Sequence, residues 1–333
     1  MILFGLLAGL FAFFAAGYGV TMLLWRGNPR PTVLECACLS WILGTGAVSL
    51  LLWCGGIIAS GLVLKWGVML VAIALGILGW RMRRESPPRI PSESSWRPLD
   101  WILAGLIVLE VLLVFFGSMQ HTLGWDGVFN WEIKAHFAFL NRGVLPATYF
   151  QSHLTEFSHP RYPMCIPMTE LWLYLWMGEA NQFWIKIIFP IYYAAGAFLL
   201  ALLGTRLTGR RWVGYAAAGL IFFVPFVTSP LGGVIVGYAD FPLGVVYFVS
   251  IAYLLCFVRE PQAHSFRLYL ACLALLPWVK NDGTILWLSG ALCGAAVIYW
   301  KKLPRVYLLW LPVSLCIWLS WRLYLSVIGA IAA

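Results

Sequence analysis

Runs of about 20 apolar residues recur along almost the whole chain, each stopped by a short polar segment, and none shows the ten-residue alternation of a membrane β-barrel. The pattern predicts an all-α fold, a polytopic transmembrane helical bundle of about ten spans. They fall near residues 2–24, 34–58, 63–81, 99–118, 183–206, 212–230, 241–258, 266–280, 283–300 and 305–326. The first run has no basic stretch before it and is long for a signal peptide, so it reads as a span. The one long polar interruption, Gly124 to Pro167, lies in a loop of residues 119–182. Within it, Asp126 to Asn141 suits an interfacial helix with Lys134 and His136 on its aqueous side, and a second interfacial helix is expected after Pro167.

Charge placement orients the bundle. Fifteen of the 22 Lys and Arg residues sit in alternate loops, around Arg26, Arg83, Arg210, Arg259 and Lys301, which the positive-inside rule makes cytoplasmic. The 119–182 loop, the segment GGVIVGYADFP and the break KNDG are then expected together on the outer face. The Pro/Ser-rich stretch 83–98 divides a three-helix block, 1–82, from a seven-span module, 99–333.

Composition agrees with the pattern. The chain has 333 residues, of which 62% are hydrophobic and 11% charged, against about 25% charged in a soluble domain. The net charge of +9 is accounted for by the loop cations and gives no reason to expect nucleic acid. Seven of the eight cysteines lie in apolar runs and none has the spacing of a zinc site.

The candidate chemistry concentrates in the polar segments. Asp126, between glycines in GWDG, reads either as a general base at the membrane surface or as a helix cap. Glu132 and His136 are one turn apart and able to pair. With Asp126 they are the best set for a divalent ion, an oxygen-ligated Mg²⁺ or Mn²⁺, though the sequence fixes no third His or Cys. Lys134 suits a phosphate or a lipid headgroup. In SHPRYPMCIP the prolines fix an extended approach in which Arg161 grips phosphate and His159 donates to a leaving oxygen, or both touch headgroups. Asp240 reads as a second site carboxylate or a helix-start acid, and Lys280 as a phosphate ligand or part of a turn.

The order of these parts resembles the GT-C superfamily of integral membrane glycosyltransferases, in particular the bacterial branch similar to protein mannosyltransferases and aminoarabinose transferases. The resemblance rests on an early loop acid (Asp126), HPRYP, a helix ending in Trp176 and Gly178, the turn Gly209 to Arg211, the acid of GYAD (Asp240) and KNDG, and spans roughly residues 99–326. It implies transfer of a sugar from a polyprenyl-phosphate-linked donor to a lipid, glycan or protein acceptor, usually with inversion. The setting is the outer face of a bacterial inner membrane, among membrane lipids. It further implies Asp126 and Asp240 as catalytic acids, and Lys134, Arg161, Lys280 and His159 around the donor phosphate. Trp125, Trp131 and Tyr162 would pack the sugar or prenyl chain. Many family members carry paired acids where this chain has Asp126 followed by Gly127. A transporter or flippase of a lipid-linked glycan, and a noncatalytic envelope scaffold, are the competing expectations.

Overall fold

A computed structural model describes residues 1–26, 30–85, 95–229 and 233–330. The described residues form an all-α bundle of α1 (Ile2–Trp25), α2 (Val33–Gly56), α3 (Gly61–Glu85), α4 (Pro98–Gln120), α5 (Ile133–Leu140), α6 (Ala147–Gln151), α7 (Cys165–Met177) and α8 (Gln182–Ile185). These are followed by α9 (Ile188–Thr208), α10 (Arg211–Leu220), α11 (Pro225–Thr228), α12 (Asp240–Arg259), α13 (Ala263–Val279), α14 (Gly283–Trp300), α15 (Val306–Val313) and α16 (Cys316–Val327). Eight segments among the described residues are long and apolar enough to cross a membrane, which makes this an integral membrane protein. Two of the ten expected spans, Arg211–Phe223 and Ala263–Val279, are helical but shorter. Most of the 83–98 stretch, residues 86–94, lies outside the described residues.

Helix starts follow local chemistry. The Thr32 hydroxyl accepts from the Glu35 backbone N–H at 3.2 Å to open α2. The Asp100 carboxylate reaches back to the Arg97 N–H at 3.0 Å to open α4, where Pro98 occupies the first turn.

The centre of the bundle is α2, with 78% of its most apolar stretch buried, against 17% for the span Val306–Val327 at the rim. Its approach to α1 depends on glycine, since a Cβ at Gly44 would lie 1.9 Å from the Phe13 carbonyl oxygen. The three N-terminal helices pack directly into the rest. Thr45 bonds the Tyr192 hydroxyl of α9 at 2.6 Å, and the Trp278 indole of α13 donates to Ser49 at 2.9 Å. A buried Glu35 carboxylate accepts from Arg206 at 2.7 Å and from Tyr253 at 2.9 Å, tying α2, α9 and α12 together. Breaking one partner of such a pair strands a buried charge, at a cost of roughly 3–5 kcal/mol.

The long polar loop folds into helices of its own. Gly127–Glu132 is a π-helical turn that runs into α5, and a 3₁₀ turn, His153–Ser158, precedes HPRYP. The helix expected after Pro167 starts at Cys165 and, as α7, departs from the interfacial placement. Trp172 and Tyr174 are fully buried, and the Trp172 indole donates to the Gly9 carbonyl of α1 at 3.0 Å. Its aromatic residues pack a core where the sequence suggested interface anchors.

Candidate active site

Three segments far apart in the chain meet at one end of the bundle. The Gly124 N–H donates to the Val236 carbonyl at 2.9 Å, which lays GWDG along the loop that ends in GYAD. Gly127 makes this possible, because a Cβ there would sit 2.7 Å from the Val236 oxygen. From the third segment, the Lys280 ammonium reaches Asp240 Oδ1 at 2.7 Å and Asp282 Oδ2 at 3.4 Å. Burial works against its charge, but the bond to Asp240 and the fields of Asp240, Asp126 and Asp282 prevail and hold it above the usual lysine range. Asp126, Asp240 and Lys280 therefore share one electrostatic neighbourhood.

Each member is set by its own element. Asp126 has helical backbone angles and makes no side-chain cap. Its carboxylate instead accepts from the Asn130 side-chain amide and, at 3.1 Å, from the Trp131 indole N–H, so the next turn of its own helix fixes its direction. Asp240 lies in the first turn of α12, where the helix dipole favours a carboxylate, and its side chain is 55% exposed. Lys280 ends α13 and is mostly enclosed. KNDG is also the turn expected of it, with the Gly283 N–H on the Lys280 carbonyl at 2.9 Å.

Behind Asp240 opens an apolar cavity of about 540 Å³ between α9, α11 and α12. Gly196, Leu200, Phe226, Gly244 and Phe248 help form its walls, and among the described residues Asp240 is the only charged one lining it.

The remaining expected residues divide. Trp125 is 71% exposed and packs on Phe129, whereas Trp131 is fully buried and turned to Asp126. His159 is exposed, left-handed at φ 47°, and stacks on Tyr162 with ring centres 4.9 Å apart. The Nε of Arg161 is buried with no hydrogen-bond partner among the described residues. Glu132 pairs with His136 at 3.4 Å as its spacing suggested, but it also accepts from the Tyr174 hydroxyl at 2.7 Å, while Asp126 is turned to Asn130 and Trp131. Among the described residues no group of three or more His, Cys, Asp or Glu side chains is arranged to hold a metal.

Lys134 departs most from expectation. Its side chain is fully buried, with the ammonium on the His159 carbonyl at 2.9 Å and near the Trp131 and Tyr162 rings, instead of facing water or a phosphate. Burial pushes it down to about 7, against the opposing fields of Asp126 and Glu170. Glu170 of α7, which the sequence reading left on an interfacial helix, is fully buried, and neither oxygen is hydrogen bonded among the described residues. Burial, with Glu132 nearby, raises it well above the usual carboxylate range. Nothing in a single sequence marks Glu170, because its apolar neighbours read equally well as an interfacial face.

Comparison with protein-family models, with curated proteins and with solved structures gave no match.

Proposed function

We propose that the protein is a membrane glycosyltransferase that moves a sugar from a polyprenyl-phosphate-linked donor to an envelope acceptor at the outer face of a bacterial inner membrane. The observation that carries this reading is that Asp240, paired with Lys280 in the field of Asp126, also lines an apolar cavity of about 540 Å³. A lipid-linked donor has a long apolar tail, an anionic head and a reacting carbon where they meet. The cavity suits the tail, and Lys280 suits the departing phosphate, with Arg161 and His159 of the HPRYP turn as the further phosphate ligands of this reading. Asp126, oriented by two donors and with lone pairs to spare, is the base for the acceptor hydroxyl. Asp240 holds Lys280 in place, and Trp125 offers an exposed ring for the sugar or the prenyl chain.

A second reading, a transporter or flippase of a lipid-linked glycan, is favoured by one observation. Glu110, halfway along α4, is 2% exposed and faces the Tyr193 hydroxyl of α9. Acids at that depth commonly mark a substrate or proton path.

The deciding experiment is sugar transfer by the purified protein in lipid, from a panel of radiolabelled polyprenyl-phosphate sugars to membrane extract, for wild type and Asp126→Asn, with and without EDTA. Transfer by wild type and its loss in an equally folded variant is the expected result, and the EDTA lanes decide whether Mg²⁺ or Mn²⁺ takes part. Donor translocation without transfer would replace the enzyme with a transporter.

A further inference from the structure

The turn His159-Pro160-Arg161-Tyr162 carries the two loop residues assigned to the donor phosphate, and its geometry is unusual. It is closed by the Tyr162 N–H on the His159 carbonyl at 2.9 Å, with Pro160 in the second position, where its fixed φ suits a turn. His159 itself is left-handed at φ 47° with ψ 65°, a conformation that costs a β-carbon residue energy and persists only where neighbours enforce it. The enforcing neighbour is visible. The His159 carbonyl also accepts the Lys134 ammonium at 2.9 Å, from a side chain that rises out of α5 and is fully buried. The same ammonium lies 5.4 Å from the Trp131 ring centre and 5.5 Å from that of Tyr162. Trp131 in turn donates to Asp126 at 3.1 Å. One side chain thus touches both the turn that carries Arg161 and the indole that aims Asp126.

We infer that Lys134 is a positioning residue, a strap that fastens the His159–Tyr162 turn to α5 and sets His159 and Arg161 in register with Asp126 and Lys280. It contacts no substrate, being fully buried. Asp126, Glu132 and His136 lie on its own helical segment, Glu170 and Tyr174 on α7, and Arg161 and Tyr162 on the turn; the strap needs only an N–H donor to the His159 carbonyl, which the amine keeps in either protonation state. A lysine used only for packing would not need its donor, and a lysine used for phosphate would not be closed off. The consequence for recognition rests on the glycosyltransferase reading, whereas the strap itself does not.

The test uses the full-length protein in lipid nanodiscs and the variant Lys134→Met, which keeps the length and apolar stem while removing the donor. Backbone hydrogen exchange is followed by mass spectrometry without substrate. Removing the donor leaves the His159 carbonyl short of a partner, at a cost of roughly 1–3 kcal/mol, which predicts exchange about 5 to 100 times faster over residues 156–162, with α12 and α13 unchanged. Exchange over 156–162 within twofold of wild type overturns the strap. If Lys134→Met loses protection throughout α12 and α13, Lys134→Leu is measured in its place under the same criterion. In the transfer assay, Lys134→Met is expected to raise KM for the lipid-phosphate donor about tenfold or more, with kcat changed less than threefold. A loosened turn with an unchanged KM overturns the positioning role. A wild type that transfers nothing defeats the glycosyltransferase reading and leaves the exchange result standing.

Discussion

Lys280 and Asp240, 40 residues apart, are joined by a 2.7 Å ion pair that pins the end of α13 to the start of α12. Lys280 is the less exposed partner, at 14% against 55% for Asp240, and it also lies in the fields of Asp126 and Asp282. The pair fixes where the one positive charge of this cluster can be presented. Because Asp240 is more than half exposed, solvent screening keeps the stabilisation small, at most about 1 kcal/mol. Lys280→Ala is therefore expected to leave the unfolding midpoint within a few degrees of wild type while weakening binding of a polyprenyl phosphate at least tenfold. Equilibrium binding to protein in nanodiscs measures this, and unchanged affinity would remove Lys280 from the phosphate site.

Asp126 is aimed by Trp131, so the indole N–H and the ring's bulk can be separated. Trp131→Phe keeps an aromatic ring in the same buried place and deletes the donor to the carboxylate. A hydrogen bond to a charged acceptor contributes about 1.5–3 kcal/mol, and loss of base orientation lowers kcat by about 10 to 100-fold. Asp126→Asn should lower it at least 100-fold with no matching loss of stability. Turnover by the two variants at saturating donor is the measurement. A Trp131→Phe enzyme as fast as wild type would show that the indole does not orient the base.

Much of this was legible in the sequence, and the failures share one cause. Apolar run lengths and loop cations marked every helix that spans or nearly spans the bundle, because burial in lipid demands an uninterrupted apolar stretch. Glycine placement around Asp126 and the break at Lys280 singled out residues that do come together. The sequence went astray where a polar residue lies inside protein instead of at its surface. Lys134 and Glu170 are fully buried beneath the loop, and Trp172 and Tyr174 pack a core. An amphipathic helix at an interface and a helix whose polar residues are satisfied by neighbours have the same residue pattern, so periodicity alone cannot separate them.

The buried state of Lys134 also has a consequence for stability against pH. Burial holds it at about 7 in the folded protein, against about 10.4 in an unfolded chain. Between these values the unfolded chain binds a proton that the folded one lacks, so stability rises with pH across this window. A single such group gives a slope of up to about 1.4 kcal/mol per pH unit, lessened here by Asp126 and Glu170. Lys134→Met has no such group. Its unfolding free energy relative to wild type should therefore be most favourable near pH 7 and lose that advantage towards pH 9.5. Reversible unfolding in mixed detergent at several pH values tests this, and a constant difference would mean that Lys134 is not desolvated in the folded protein.

The apolar cavity behind Asp240 offers the sharpest separation between tail and head recognition. Gly244 lies in its wall, and a Cβ added there meets nothing within 4 Å, so a larger side chain would enter open space instead of displacing its neighbours. Gly244 is also inside α12, where replacing glycine removes a conformational cost of about 0.8–1 kcal/mol. Gly244→Leu should consequently leave the unfolding midpoint unchanged or raise it by a few degrees. If a prenyl tail occupies the cavity, the same variant should raise KM for a long-chain donor about tenfold or more, because the lost burial of one or two isoprene units is worth several CH₂ groups at about 0.8 kcal/mol each. A water-soluble short-chain donor analogue never reaches Gly244 and should be turned over equally by both proteins. The two donors compared side by side therefore report on the cavity alone. A stable Gly244→Leu protein that still handles the long-chain donor like wild type would leave the cavity without a role in holding the lipid.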